Sequence, residues 1–95
     1  MRTNLLESTR IVASQEQVSC ILGVEAAILN LKNGIYYRLN PIGARVWDLI
    51  QSPRSFVEIR DILIDEYDVD PARLESDIRD LLNRLADNQL VEISG

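Results

Sequence analysis

The sequence has no histidine and a single cysteine, Cys20. Without histidine, the chain lacks the commonest general base, the usual partner of a serine or cysteine nucleophile, and the commonest metal ligand. A lone cysteine cannot form an internal disulfide, which fits a reducing compartment, and we expect Cys20 to be a small buried side chain. The four glycines are scattered and form no phosphate-binding loop. Only an enzyme built from Asp, Glu, Lys or Tyr alone stays open on composition. We expect no enzyme, no metal site and no cofactor.

Long apolar runs are also missing. The longest, such as residues 26–29, are far shorter than the roughly 20 residues of a membrane span, and the first ten residues lack the apolar segment of a secretory signal. These features predict a cytoplasmic protein without membrane contact. The chain has 95 residues, 46% of them hydrophobic, which predicts a single domain over residues 1–95 with residues 1–9 as a loose N-terminal arm.

Basic residues are scarce in the second half of the chain. Residues 1–50 hold five Lys/Arg and four Asp/Glu, a net charge of +1, whereas residues 51–95 hold five Arg and eleven Asp/Glu, a net charge of −6. A phosphate backbone needs a net basic surface, because counterion release supplies much of the affinity. We therefore expect no nucleic-acid partner, although the order of elements described below keeps a winged-helix transcription regulator as the alternative.

The first part of the chain predicts short strands, over residues 10–14, 18–23, 25–32 and 35–39. Asn33-Gly34 is typical of a two-residue type I′ turn between the last two strands. Such a turn places Leu29 opposite Arg38 and Ile28 opposite Leu39. Both faces of this hairpin are partly apolar, so alternation does not decide which faces the core. We expect the face of Ile28, Tyr37 and Leu39 to be the core side.

The second part predicts three helices, each with a start signal. The signals are Asn40-Pro41, the capping box Ser55 with Glu58, and Asp70-Pro71. The helices are expected to end near residues 51, 67 and 88, with Trp47 and Tyr67 in the core, and residues 90–94 predict a terminal strand or wing. The fold class is therefore α+β, winged helix-turn-helix-like, with an N-terminal three-stranded antiparallel sheet followed by a three-helix bundle.

The strand over residues 35–39 carries the sharpest functional hypothesis. Its outer edge has unpaired backbone groups unless another strand covers it, and proteins cover, shorten or use such edges. If the third helix packs beside that edge, an extended peptide can add as a strand with side chains in apolar pockets. The alternative is that Tyr36 and Tyr37 are simply one exposed and one core tyrosine, which needs no functional explanation.

Residues 34–50, GIYYRLNPIGARVWDLI, closely resemble the signature of the PqqD-like family. Residues 55–91 follow the same plan, with a helix ending in a tyrosine, an acidic turn and a leucine-rich helix closing with NQLV. These proteins are precursor peptide recognition elements (RREs) of ribosomally synthesised and modified peptides (RiPPs). The tyrosine pair and LNPIGARVW are most similar to the stand-alone leader-binding proteins of split lasso-peptide systems.

The resemblance implies a non-catalytic protein that binds the leader of a precursor peptide as an extra antiparallel strand, against the third helix. It further implies delivery of the leader to a cysteine leader peptidase and an asparagine-synthetase-like cyclase, and an exposed groove leaves a homodimer open. The residues it assigns to peptide binding are Ile35, Tyr36, Tyr37, Arg38 and Leu39 on the strand, and Asp77, Ile78, Asp80, Leu81, Leu82, Arg84 and Leu85 on the helix.

Overall fold

Strands come first and helices follow in the computed structural model, which describes residues 8–94. The strands are β1 (Arg10–Ala13), β2 (Gln17–Leu22), β3 (Glu25–Asn30), β4 (Tyr36–Leu39), β5 (Arg54–Ser55) and β6 (Val91–Ser94). The helices are α1 (Pro41–Leu49), α2 (Phe56–Glu66) and α3 (Pro71–Asp87). The chain is thus an α+β protein with a three-stranded antiparallel sheet and three helices, as the sequence predicts.

The strands form two antiparallel sheets, in the orders β2-β3-β4 and β5-β1-β6. In the second sheet the two ends of the chain meet, since Arg10 lies opposite Ser94 and Ala13 opposite Val91. Thr9, the last residue of the predicted loose arm, is buried, and its carbonyl accepts the Phe56 N–H at 2.9 Å. The rest of the predicted arm, residues 1–7, lies outside the described residues.

The predicted helix starts are confirmed. The Asn40 side chain accepts the Gly43 N–H at 2.8 Å, with a proline in the first turn. Ser55 and Glu58 form the complete capping box, with each side chain bonded to the other residue's backbone. The Asp70 side chain accepts the Ala72 N–H at 3.1 Å. Each cap satisfies backbone donors that the helix itself leaves unpaired.

The predicted register of the β3–β4 hairpin is wrong by two residues. Leu29 lies opposite Tyr36 and Ile28 opposite Tyr37, because residues 31–34 form a four-residue loop. A type I′ turn needs positive φ at both central residues, and of the Asn33-Gly34 pair only Gly34 has it, at 71°. Loop hydrogen bonds to Asn30 replace the tight turn: its carbonyl accepts the Gly34 N–H and its side chain accepts the Lys32 N–H, both at 2.8 Å.

A slip of two residues leaves every side chain on its predicted face, because side chains alternate with period two. Ile28 and Leu39 are buried in the core and Tyr37 packs against it, while Tyr36 is 69% exposed. Trp47 is also a core residue, and Tyr67 is half-buried and packs against the core. The prediction of a buried Cys20 is wrong: the residue is exposed on the edge strand β2, and no strand within residues 8–94 pairs with the outer flank of β2.

Within residues 8–94, no helix combines the length and the apolar character that crossing a membrane requires.

Candidate functional site

Strand β4 forms one edge of its sheet, and no strand within residues 8–94 pairs with its outer flank. The Asn30 N–H donates to the Ile35 carbonyl at 3.0 Å. This bond identifies which opposed residue pairs of β3 and β4 are the hydrogen-bonded ones. Because hydrogen-bonded and non-hydrogen-bonded pairs alternate in an antiparallel ladder, Tyr37 and Leu39 direct their backbone groups toward β3. Tyr36 and Arg38 therefore direct their N–H and C=O groups outward, where an added strand would find them.

A groove of about 660 Å³ lies beside this edge, between β4, the start of α1 and α3. Its lining residues are Arg38, Leu39, Asn40, Ile42, Gly43, Val46, Asp77, Ile78, Asp80, Leu81 and Arg84. The floor is aliphatic and the α3 rim is charged. An extended chain lying here would meet backbone donors and acceptors on one side and apolar contacts below, the two requirements of strand addition.

The groove has a defined direction, because β4 and α3 run antiparallel. Near the start of β4, the Tyr37 hydroxyl donates to the Asn88 side-chain oxygen, just beyond the C-terminal end of α3, at 2.8 Å. Past the end of β4, Ile42 shares a smaller pocket of about 100 Å³ with residues from the α3 N-terminal half. These are Asp70, Arg73, Leu74 and Asp77, and Val69 also lines the pocket.

The start of α1 closes the floor of the groove, and a glycine permits this approach. A Cβ added at Gly43 would lie 3.2 Å from the Asn40 side-chain oxygen and 3.3 Å from the Leu39 Cβ. Gly43 therefore lets the first turn of α1 pack tightly against the end of β4. The small size of Gly43 predicts from sequence that α1 can pack closely against a neighbouring element. It does not predict that this neighbour is the end of β4.

An ion pair holds α1 against α2 on the outside of the bundle. The Arg45 guanidinium donates to both carboxylate oxygens of Glu66, at 2.9 and 2.7 Å, and also to Asp48 at 2.7 Å. The hydrogen bonds from Arg45 lower the pKa of Glu66 below its ordinary value and raise that of Arg45.

Hydrogen bonds from the Ser55 backbone and hydroxyl likewise lower the pKa of Glu58.

The groove brings together most of the residues that the sequence assigns to peptide binding. On the strand these are Arg38 and Leu39, and on the helix Asp77, Ile78, Asp80, Leu81 and Arg84. Ile35 lies between the hairpin loop and β4, Tyr36 on the outer face and Tyr37 on the core face of the sheet. Leu82 and Leu85 are core residues that do not line the groove. That any of them contacts a peptide stays a prediction.

Sequence reasoning missed the contribution of α1 to the groove. Asn40 is recognisable as a helix cap, and Ile42 and Val46 as one face of the helix at a spacing of four residues. The pattern assigns that face to the core. Only the position of β4 beside the first turn of α1 opens part of it to the groove.

Comparison with known proteins finds one matching family and two similar solved structures. The family model described as coenzyme PQQ synthesis protein D (PqqD) matches residues 25–91. The solved structure of TbiB1 in complex with the TbiA(beta) leader peptide is 36% identical, with a TM-score of 0.78, covering 85% of this chain and 94% of that chain.

A second structure, lasso peptide synthetase B1 complexed with the leader peptide, is 22% identical with a TM-score of 0.74. It covers 86% of this chain and 96% of that chain, and its similarity extends to the fold alone. No curated protein matches the chain significantly.

Proposed function

Because this chain belongs to the PqqD family, we propose that it binds the leader segment of a ribosomally made precursor peptide in the groove between β4 and α3. It acts as a binding protein and not as a catalyst. The leader adds to β4 as an antiparallel strand, so that the sheet grows from three strands to four.

The outward N–H and C=O groups of Tyr36 and Arg38, beside an apolar groove, are the observation that carries the proposal. Strand addition takes its affinity from such backbone bonds and its specificity from pockets for alternate side chains. Ile42, Ile78 and Leu81 supply the apolar surface that those side chains cover. The carboxylates and guanidinium on the rim supply a polar border.

The precursor is proposed to be a lasso peptide, since the tyrosine pair and LNPIGARVW resemble the leader-binding proteins of split lasso-peptide systems. The solved relative at 36% identity is itself a complex with a leader peptide. The bound leader is then presented to a cysteine leader peptidase and an asparagine-synthetase-like cyclase in the cytoplasm. A homodimer, which the sequence leaves open, is not required for this function, because one copy of the chain provides both walls of the groove.

A winged-helix DNA-binding regulator, the alternative interpretation of the sequence, is not favoured. Helix α3 would be the reading helix, and it carries three arginines against four carboxylates. Helix α2 carries one arginine against four carboxylates. A surface of this charge repels the phosphate backbone that supplies most of the affinity in DNA binding.

Amide hydrogen exchange measured by NMR tests the strand addition, with the TbiA(beta) leader peptide as the first probe. We expect the Tyr36 and Arg38 amides to exchange quickly in the free protein and to become protected on binding. The Tyr37 and Leu39 amides, which face β3, should be protected in both states.

Peptides selected from a random library against the protein serve as a second probe. If neither this set nor the TbiA(beta) leader protects the Tyr36 and Arg38 amides, the proposed function is wrong. Chemical-shift changes of α3 side chains, without protection of the Tyr36 and Arg38 amides, would place the peptide in the groove without strand addition.

A further inference from the structure

We infer that the groove selects its peptide by charge order: basic side chains toward the N-terminal end of the bound segment and acidic side chains toward its C-terminal end. This inference rests on the proposed function, since it concerns the same groove. It names the class of leader that the site takes.

The direction of the guest strand follows from the antiparallel arrangement of β4 and α3. A strand that adds antiparallel to β4 runs in the same direction as α3. Its N-terminal end lies beside Ile42 and the smaller pocket, and its C-terminal end lies toward Tyr37 and Asn88. The order of charges along α3 therefore becomes the order of charges that the guest meets.

The first end of the groove is acidic. Asp77 lines both the groove and the smaller pocket, and Asp80 follows one turn later. The smaller pocket adds Asp70, which also caps α3, and Arg73 as the only cation among its lining residues. Two carboxylates, Asp70 and Asp77, thus share the smaller pocket with one guanidinium. No described cation lies within ion-pair distance of Asp77, so its charge is directed to the groove and to solvent.

The second end of the groove is basic. Arg84 lies on the same face of α3, two turns beyond Asp77, and no carboxylate among residues 8–94 pairs with its guanidinium. Arg38 borders the groove from β4, where it also bridges to Glu25 at 2.8 Å. An acidic side chain of the bound peptide would meet two arginines here. Arg84 has no carboxylate partner among residues 8–94, and Arg38 already pairs with Glu25.

The spacing of the two ends predicts the spacing of charges in the peptide. Asp77 and Arg84 are seven residues apart, which is about 10 Å along a helix. An extended chain covers this distance in about three residues. The basic and acidic side chains of the guest should therefore lie three to four residues apart in its sequence.

Selection of random peptides of about 12 residues by display on the wild-type protein tests the inference. We expect enriched peptides to carry Lys or Arg before Asp or Glu at the spacing given above. The double variant Asp77→Lys with Arg84→Glu should enrich the reverse order. Both side chains are exposed, so the fold should tolerate the exchange.

A matched control exchanges charges outside the groove. The double variant Asp65→Lys with Arg10→Glu makes the same pair of substitutions at exposed positions that line neither pocket. This control variant should enrich peptides with the same charge order as the wild-type protein does. A wild-type peptide should bind Asp77→Lys with Arg84→Glu on the order of tenfold more weakly at low salt, with a smaller loss at high salt.

The outcomes separate the two proposals. Enriched peptides without charge order, or with the same order in wild type and in Asp77→Lys with Arg84→Glu, overturn the charge inference and leave the groove as the binding site. No enrichment at all contradicts the proposed function itself, and so do enriched peptides for which proline and alanine have equal effects at both Tyr36 and Arg38 in folded protein.

Discussion

The Tyr37 hydroxyl donates a hydrogen bond to the side-chain oxygen of Asn88 at 2.8 Å, and so joins the edge strand to the residue that caps α3. The Asn88 carbonyl accepts a second bond at 2.8 Å, from the side chain of Asn30 on the central strand. Both walls of the groove are thus tied together at its basic end. The width of the groove there depends on polar contacts between residues more than fifty positions apart in sequence.

Removing the Tyr37 hydroxyl should loosen this end of the groove. We expect Tyr37→Phe to lower the free energy of unfolding by about 1 kcal/mol, because it removes a part-buried hydrogen bond and leaves its acceptor unpaired. Tyr36→Phe is the matched control, since that ring is 69% exposed. Urea unfolding of both variants checks the prediction, and equal losses would contradict it.

Proline on β4 should weaken leader binding more than alanine does. Arg38→Pro and Arg38→Ala both lose the bridge to Glu25, but only proline also removes the outward N–H. We expect proline to cost roughly a further five- to tenfold in affinity, the equivalent of one hydrogen bond. Fluorescence anisotropy with a labelled leader measures the difference.

The same comparison at Tyr36 provides an independent position, and circular dichroism checks that each variant is folded. If proline and alanine have equal effects at both positions in folded protein, the peptide does not add to this edge as a strand.

Two adjacent leucines on α3 should separate binding from folding. Leu81 is a core residue that also lines the groove, whereas Leu82 is fully buried and does not line it. We expect Leu81→Ala to weaken leader affinity in addition to lowering the free energy of unfolding. Leu82→Ala should lower the free energy of unfolding by about 2–5 kcal/mol and leave the affinity of the folded protein unchanged.

Anisotropy and urea unfolding, measured on the same samples, distinguish the two effects. Leu82→Val, with a cost of about 1 kcal/mol, replaces Leu82→Ala if that variant does not fold. An equal loss of affinity at both positions would place the leader elsewhere.

Acid should destabilise the protein through Glu66 and Glu58. The pKa of each is lower in the folded state than its ordinary value of 4.5. Their stabilisation is therefore complete above that value and is lost as the pH falls through the lower, folded-state pKa. We expect the melting temperature to fall between about pH 5 and pH 3.

Glu66→Gln should be less stable than wild type at pH 7 and should lose less on acidification, because the charged form no longer exists. Asp65→Asn is the control, since it removes the neighbouring charge while the hydrogen bonds from Arg45 to Glu66 remain. If the melting temperatures of wild type and Glu66→Gln fall by the same amount on acidification, the acid sensitivity does not come from Glu66.

Local chemistry allowed much of the fold to be predicted. Asn40, Ser55 and Asp70 begin their helices as expected, because a cap depends on residues only two or three positions away. Alternation on β3 and β4 could not decide the core face, because both faces are partly apolar. The expected face of Ile28, Tyr37 and Leu39 is nevertheless the core side, since a displacement of two residues leaves the faces unchanged.

The hairpin register could not be predicted from its turn residues. Asn33-Gly34 favours a two-residue turn, but Asn30 is held by the Asn88 carbonyl and organises a longer loop around itself. The contact that decides the register comes from the other end of the chain, so the local turn signal could not reveal it.

Some features of the groove could likewise be predicted from the sequence, and others could be seen only in the tertiary structure. The sequence by itself determined an edge strand with two tyrosines, an apolar stripe on α3 and the acidic charge of the second half, because each depends on periodicity or composition. Only the tertiary structure decided that Ile78 and Leu81, which are buried in the core like Leu82 and Leu85, also line the groove. All four share one helical stripe, and the position of α1 and β4 against it determines which part stays open.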